Sequence, residues 1–225
     1  MDLKFLKKSL STIIIMAVFS VVMIGIIYSI LNPDKRLPIY SPADVNPRLV
    51  DESLFHVWNN HTIADFSLVN QNGEIITQKD YKDKIYVVDF FFTRCQTICP
   101  IMTNNMAKVQ EAFLTDESVK LLSLSVTPIM DSVPVLRSYA DKKGVIDSKW
   151  NITTGDKKHI YDLARKSYFV VLDEGDGGVQ DFIHTENFVL VDKKRRIRGF
   201  YDGTSIEEIN QLVEDIKLLQ KEYNK

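Results

Sequence analysis

Residues 10 to 31 read LSTIIIMAVFSVVMIGIIYSIL, 22 residues without a charged side chain. A helix rises 1.5 Å per residue, so ~20 residues cross the hydrocarbon core of a bilayer. Lys4, Lys7 and Lys8 precede the run and favour a cytoplasmic N-terminus. Lys35 and Arg36 follow it, so the charge asymmetry is modest. The rival reading is a cleaved signal peptide, whose apolar part is shorter, ~7–15 residues, and ends in a small-x-small site. The sequence from Tyr28 to Pro33, YSILNP, offers no such site. The sequence predicts residues 1–9 in the cytoplasm, a single-pass transmembrane helix over 10–31, and everything from Asn32 on the extracytoplasmic, periplasmic side.

Residues 32–52 carry Pro33, Pro38, Pro42 and Pro47, four of the seven prolines. That composition predicts a stiff, extended linker. Residues 53–225 are then one domain, and with 45% hydrophobic residues the chain can bury a proper core. The 28 basic and 30 acidic side chains nearly balance, which leaves no nucleic-acid footprint.

Within the domain, FSLVNQNGEIIT (66–77) reads as a hairpin turning at Asn72-Gly73. IYVVDFFF (85–92) is an apolar run of strand length, central in a sheet. A helix follows, with Ile101, Met102, Met106, Val109 and Phe113 on its inner face. VKLLSLSV (119–126) is a second core strand, and 135–143 and 157–166 read as helices. Short strands are expected at 168–172 and 187–191, with 196–201 returning across a tight turn. The last helix aligns Ile206, Ile209, Leu212, Val213, Ile216 and Leu219, and Ser205 and Glu208 are spaced as a capping box. This order predicts an α/β fold, a mixed sheet with helices on both faces.

Both cysteines of the chain, Cys95 and Cys99, sit in TRCQTICPIM (93–102), where the first core strand ends and a helix begins. Open α/β sheets place ligand sites at that end of a strand. Three roles compete: two buried hydrophobes, a structural disulfide, or a working dithiol for redox or metal binding. A disulfide closing so short a loop gains little chain entropy. Pro100 suits the first turn of a helix, so both sulfurs lie near a helix N-terminus that favours thiolate, with Arg94 pushing the same way. Thiolates are soft ligands suited to Cu(I). Two rarely complete a metal site, so a third donor is wanted. Of the four histidines, His56 and His61 read as surface or edge residues and His159 as solvated, whereas His184 stands in a loop just before a core strand.

Three stretches resemble the Sco/SenC family of copper-binding, thioredoxin-like proteins: DFFFTRCQTICPIM, WNITTGDKKHIYDLARKSYFV and HTENFVLVDKKRRIRGFYDGT. The resemblance covers residues 60 to 223 and implies a thioredoxin-like fold behind one membrane anchor. It implies that Cys95, Cys99 and His184 bind copper, as Cu(I) or Cu(II). It implies assembly of the CuA centre of cytochrome c oxidase, with subunit II or a similar copper-accepting protein as partner. Some family members act as thiol–disulfide reductases on the partner's cysteines, so a redox role for Cys95 and Cys99 stays open. The chain departs from the family pattern at Arg94, where histidine is common, at Thr127-Pro128, where Asp-Pro is usual and Asp131 follows, and at Lys193–Arg196, where the hairpin often turns on glycine.

Absence of a proline in the loop before Asn187 favours metal binding over a substrate-reducing groove. Asp89, six residues before Cys95, favours redox work, because it resembles the aspartate that thioredoxins use for proton transfer to their dithiol. A peroxidase-like or copper-sensing protein on the same scaffold is a third class. DEGDGG (173–178) lacks the ligand spacing of a calcium loop. KKRR reads as a solvated hairpin tip, and Met102 and Met106 as core.

Overall fold

The structure, a computed structural model, describes residues 3–31, 36–46, 61–171, 183 and 185–224. It divides into two compact units, residues 1–36 and 37–225. The first is helix α1, Leu3–Leu31, with Ile13, Ile15, Phe19, Val21 and Ile24 exposed along it. Among the described residues no helix is long and apolar enough to cross a membrane.

The second unit is built on a seven-stranded mixed sheet. Its strands are β1 (Ser67–Asn70), β2 (Ile75–Thr77), β3 (Ile85–Phe91), β4 (Val119–Ser125), β5 (Trp150–Thr154), β6 (Asn187–Val191) and β7 (Ile197–Asp202), in the spatial order β2-β1-β5-β4-β3-β6-β7. β3, β4 and β5 run parallel; β6 lies antiparallel to β3 on the other side. The β1–β2 turn is where Asn72-Gly73 predicted it, with Gly73 at φ +80, a conformation glycine adopts without a Cβ penalty.

Every side chain of β3 is buried, because both sheet faces are covered. Successive strand residues point to opposite faces. Ile85, Val87 and Phe91 join a core with α2 (Ile98–Ala112), α3 (Val133–Lys143) and α5 (Ile206–Tyr223). Tyr86, Val88 and Phe90 join the opposite core, with Ile160 and Tyr161 of α4 (Lys157–Asp162) and Leu163 and Ala164 of the π-helical turn that continues it to Ser167.

Several details differ from the sequence reading. Tyr168–Val171 is buried but forms no strand. Tyr168 N–H donates to Leu163 O and Val170 N–H to Ala164 O, so the segment continues the helical turn instead of joining the sheet. The missing strand is β5, whose residues carry Trp and β-branched side chains. On α2 the inward face is Cys99, Met102, Met106 and Val109, and Ile101, two positions beyond Cys99, is 48% exposed. On α5, Ile206 is likewise exposed. Ser205 Oγ accepts from Glu208 N–H as expected, but the Glu208 carboxylate takes Asp202 N–H.

Part of the stretch read as linker is docked onto the domain. Tyr40 pairs with Ile197 and packs edge-on against Phe200. Arg198, 3% exposed, donates to Leu37 O and Pro38 O and pairs with Asp192 and Glu222. The KKRR tip is not simply solvated either: Arg195 binds Ile63 O and Asp65, Arg196 binds Asp192, and Lys193 lies over the Tyr223 ring.

Candidate functional site

β3 delivers the chain to the site. Its buried run ends at Phe91, and the turn 92–97 leads into α2. Cys95 N–H donates to Phe92 O at 3.3 Å. A helix leaves its first N–H groups without intrahelical acceptors. Thr97, at the N-cap, makes no side-chain cap bond. The Cys95 sulfur does that work: Cys99 N–H donates to Cys95 Sγ at 3.4 Å, with the Thr97 hydroxyl at 3.6 Å. The helix therefore starts on a sulfur.

The two thiols differ sharply. Cys95 is partly exposed; Cys99 is 3% exposed among Met102 and Met106. Burial raises the Cys95 pKa, but hydrogen bonds from Cys99 N–H and Thr97 outweigh it and bring the thiol down to about 7. These bonds, rather than the neighbouring Arg94, are the leading causes. Burial pushes Cys99 up to about 12, and the charges of Cys95 and Asp89 push the same way. The pair titrates as a unit whose first proton leaves from Cys95.

Asp89 lies within the sheet, 1% exposed, and accepts a short hydrogen bond from Ser123 Oγ, which in turn accepts from Trp150 Nε1 at 2.9 Å. Burial pushes its carboxyl up to about 7. Its charge acts on both Cys99 and Tyr139, so it sits beneath the dithiol. Raising a folded-state carboxyl pKa adds stability below its unfolded value near 4, and this is lost as pH rises to about 7. At 1.36 kcal/mol per pKa unit the loss is roughly 4 kcal/mol. Asp89→Asn is expected to remove that slope. Urea unfolding at pH 5 and pH 8 checks it: parent and variant losing stability in parallel would sink the assignment.

Of three residues beside the dithiol, Thr103 and Tyr139 were not singled out by sequence, and Asp131 only as the aspartate after Thr127-Pro128. Asp131, 0% exposed, accepts from Thr93 Oγ1 at 2.5 Å, Thr93 N at 3.3 Å, Ser125 Oγ at 2.5 Å and Thr127 Oγ1 at 3.0 Å. Thr103, one turn after Cys99, donates to Cys99 O or shares its proton with Tyr139 OH at 2.7 Å. Tyr139 packs on Phe91 and lines a cleft of about 390 Å³ with Thr93, Arg94 and Lys142.

His184, like His56 and residues 173–178, lies outside the described residues. β6 starts at Asn187, beside the C-terminal end of β3, because the two strands are antiparallel with Val88 opposite Val189. His159 stays on the surface, accepting from Ser67 N–H at 3.4 Å. His61 is half-buried instead: Nε2 donates to Ser167 O at 2.7 Å, the ring packs on Phe169, and burial lowers its pKa. Met102 and Met106 are core, as expected. Among the described residues, no group of three or more His, Cys, Asp or Glu could hold a metal ion. The two sulfurs fit a soft ion but need a donor from beyond those residues.

The SCO1/SenC family profile matches residues 57–221. The chain belongs to the SCO1/SenC family. The match runs from before β1 into α5, so the family segment contains the whole sheet and both cysteines. A SCO1/SenC family lipoprotein from Bacillus anthracis superposes with a TM-score of 0.63 at 32% identity, over 72% of this chain and 96% of that one. BsSco, described as a member of the Sco family of cytochrome c oxidase assembly proteins with a disulfide switch, gives 0.61 at 28% identity, over 71% and 94%. ScoI of Bradyrhizobium japonicum, solved with copper bound, gives 0.57 at 23% identity over 71% and 99%, a likeness of fold. The sheet is thus the thioredoxin-like sheet of the SCO1/SenC proteins.

Proposed function

We propose that this SCO1/SenC protein is a membrane-anchored, extracytoplasmic copper chaperone. It binds copper through Cys95, Cys99 and His184 and hands it to subunit II of cytochrome c oxidase, or a similar acceptor, as the CuA centre is built. The observation that carries this reading is the asymmetric dithiol: an accessible sulfur near pKa 7 held against the helix start, and a buried partner four residues on. Relatives with a cytochrome c oxidase assembly role and with bound copper support the cargo and its destination. His184 precedes β6 by three residues, and β6 starts beside the end of β3.

For the anchor, the support is the uncharged apolar run 10–31 and the exposed apolar side chains of α1 between Leu10 and Tyr28. Copper is cargo here, and the residues' work is to present two sulfurs and give up their protons when it arrives. Oxidation of the pair to a disulfide, with two electrons and two protons passing to a partner's disulfide, removes both donors and shuts the site.

The pKa split also suits a second reading, a thiol–disulfide reductase. Cys95 thiolate would attack a partner disulfide and form a mixed disulfide, releasing one partner thiolate. Cys99, giving its proton to the carboxylate of Asp89, would then attack Cys95 Sγ and release the second. The test is a Cu(I) titration of the reduced full chain in detergent micelles, against a competing chelator. The expected result is one copper per chain, with His184→Ala weakening it at least tenfold. No stoichiometric binding, together with fast reduction of a disulfide-bearing acceptor peptide, would replace the chaperone by the reductase.

A further inference from the structure

Asp131 is a carboxylate with no exposed surface and, among the described residues, no cationic partner. Such a group is costly unless its lone pairs are filled. Four donors fill them, and they come from two loops. Thr93 gives its N–H and hydroxyl from the turn after β3; Ser125 and Thr127 give hydroxyls from the end of β4. β3 and β4 are parallel, with Phe91 opposite Ser125, so the two loops leave the sheet side by side and one carboxylate can bridge them.

We propose that Asp131 is the positioning residue of the dithiol turn. By holding both the backbone and the side chain of Thr93, it fixes the turn two residues before Cys95. That keeps the Cys95 sulfur against Cys99 N–H, where the pair can close on a metal ion or on each other. Thr127 belongs to the device: its hydroxyl donates to Asp131, whereas a carboxylate at 127 would face it as a like charge. Arg94, Tyr139 and Lys142 are not needed for it. The inference rests on the reading of Cys95 and Cys99 as the working site, but it applies to copper binding and to redox exchange alike.

The experiment uses the full chain in detergent micelles, as parent, Asp131→Asn, Thr93→Val and Thr93→Ser. Two readouts are taken on each: Cu(I) affinity by chelator competition, and the dithiol–disulfide equilibrium against dithiothreitol. In the second, dithiothreitol gives two electrons and two protons to the Cys95–Cys99 disulfide and becomes its own cyclic disulfide. Asp131→Asn and Thr93→Val are expected to weaken copper binding about tenfold, as loss of an outer partner of a metal ligand does. A looser turn lowers the effective concentration of one sulfur at the other, so the same variants should shift the equilibrium at least about threefold toward the dithiol. Thr93→Ser keeps the hydroxyl and should stay within about twofold of the parent on both readouts. Merely structural damage would lower the melting temperature without this pattern of loss and rescue. The proposal is overturned if folded Thr93→Val matches the parent on both readouts. If Asp131→Asn does not fold, the two Thr93 variants decide alone. If the parent binds no copper, the chaperone reading fails, and the redox equilibrium still judges Asp131.

Discussion

Serine in place of either cysteine is expected to weaken Cu(I) binding about 1000-fold or more, because a hydroxyl is a poor ligand for a soft ion. At 1.4 kcal/mol per factor of ten, that is roughly 4 kcal/mol of binding energy. The pH dependence is a sharper test. Binding needs both thiolates, and the free pair loses its first proton near pH 7 from Cys95 and its second near 12 from Cys99. Between pH 7 and 9 the pair holds one proton, which copper must displace, so affinity should rise about tenfold per pH unit. Below pH 7 two protons are displaced and the slope should approach about a hundredfold per unit. Chelator competition at pH 6, 7, 8 and 9, corrected for the chelator's own protons, gives the slopes. A flat profile would show that the sulfurs are not the ligands.

Arg198→Ala should cost about 3 kcal/mol or more of stability. The side chain is 3% exposed and serves two carboxylates and two carbonyls: Asp192 at 3.2 Å, Glu222 at 2.7 Å, Leu37 O at 2.7 Å and Pro38 O at 2.9 Å. Removing one partner of a buried ion pair leaves the others desolvated and unpaired, which is worse than losing the pair. Asp192 keeps Arg196, which holds its carboxyl below the usual range against the effect of burial. For a domain of this size the loss should lower the melting temperature by roughly 10 °C. It should also free residues 37–40, which limited proteolysis would report as new cleavage before Tyr40. A stability loss below about 1 kcal/mol would mean the clamp is ornamental.

The dithiol was legible in the sequence alone: a run of apolar β-formers, two cysteines four apart and a proline behind them already place two sulfurs at a strand end. The hairpin, β3, β4, β6, β7, α2 and α5 were legible for the same reason, since periodicity and turn residues are local signals. The clamp at Arg198 was not. Residues 37–40 read as linker because their prolines say nothing about a buried arginine some 160 positions later. β5 was not expected and a strand was expected at 168–172, although both segments are rich in strand formers. Only hydrogen bonding to neighbours distinguished the strand from the buried turn.

Sequence by itself determined where the two sulfurs lie along the chain. Covalent spacing puts Cys95 and Cys99 four residues apart, and the strand-end and proline signals put them at the start of a helix. Tertiary structure decided how they differ. Cys95 has the lower pKa because Cys99 N–H and Thr97 reach its sulfur, and Cys99 the higher because the α2 core closes over it. Asp89 is pushed up to about 7 because the folded sheet buries it, against the lowering effect of the Ser123 hydrogen bond, and Asp131 can hold Thr93 because β3 and β4 end side by side. A pKa depends on what surrounds a group, and those surroundings are brought together by the sheet from segments tens of residues apart.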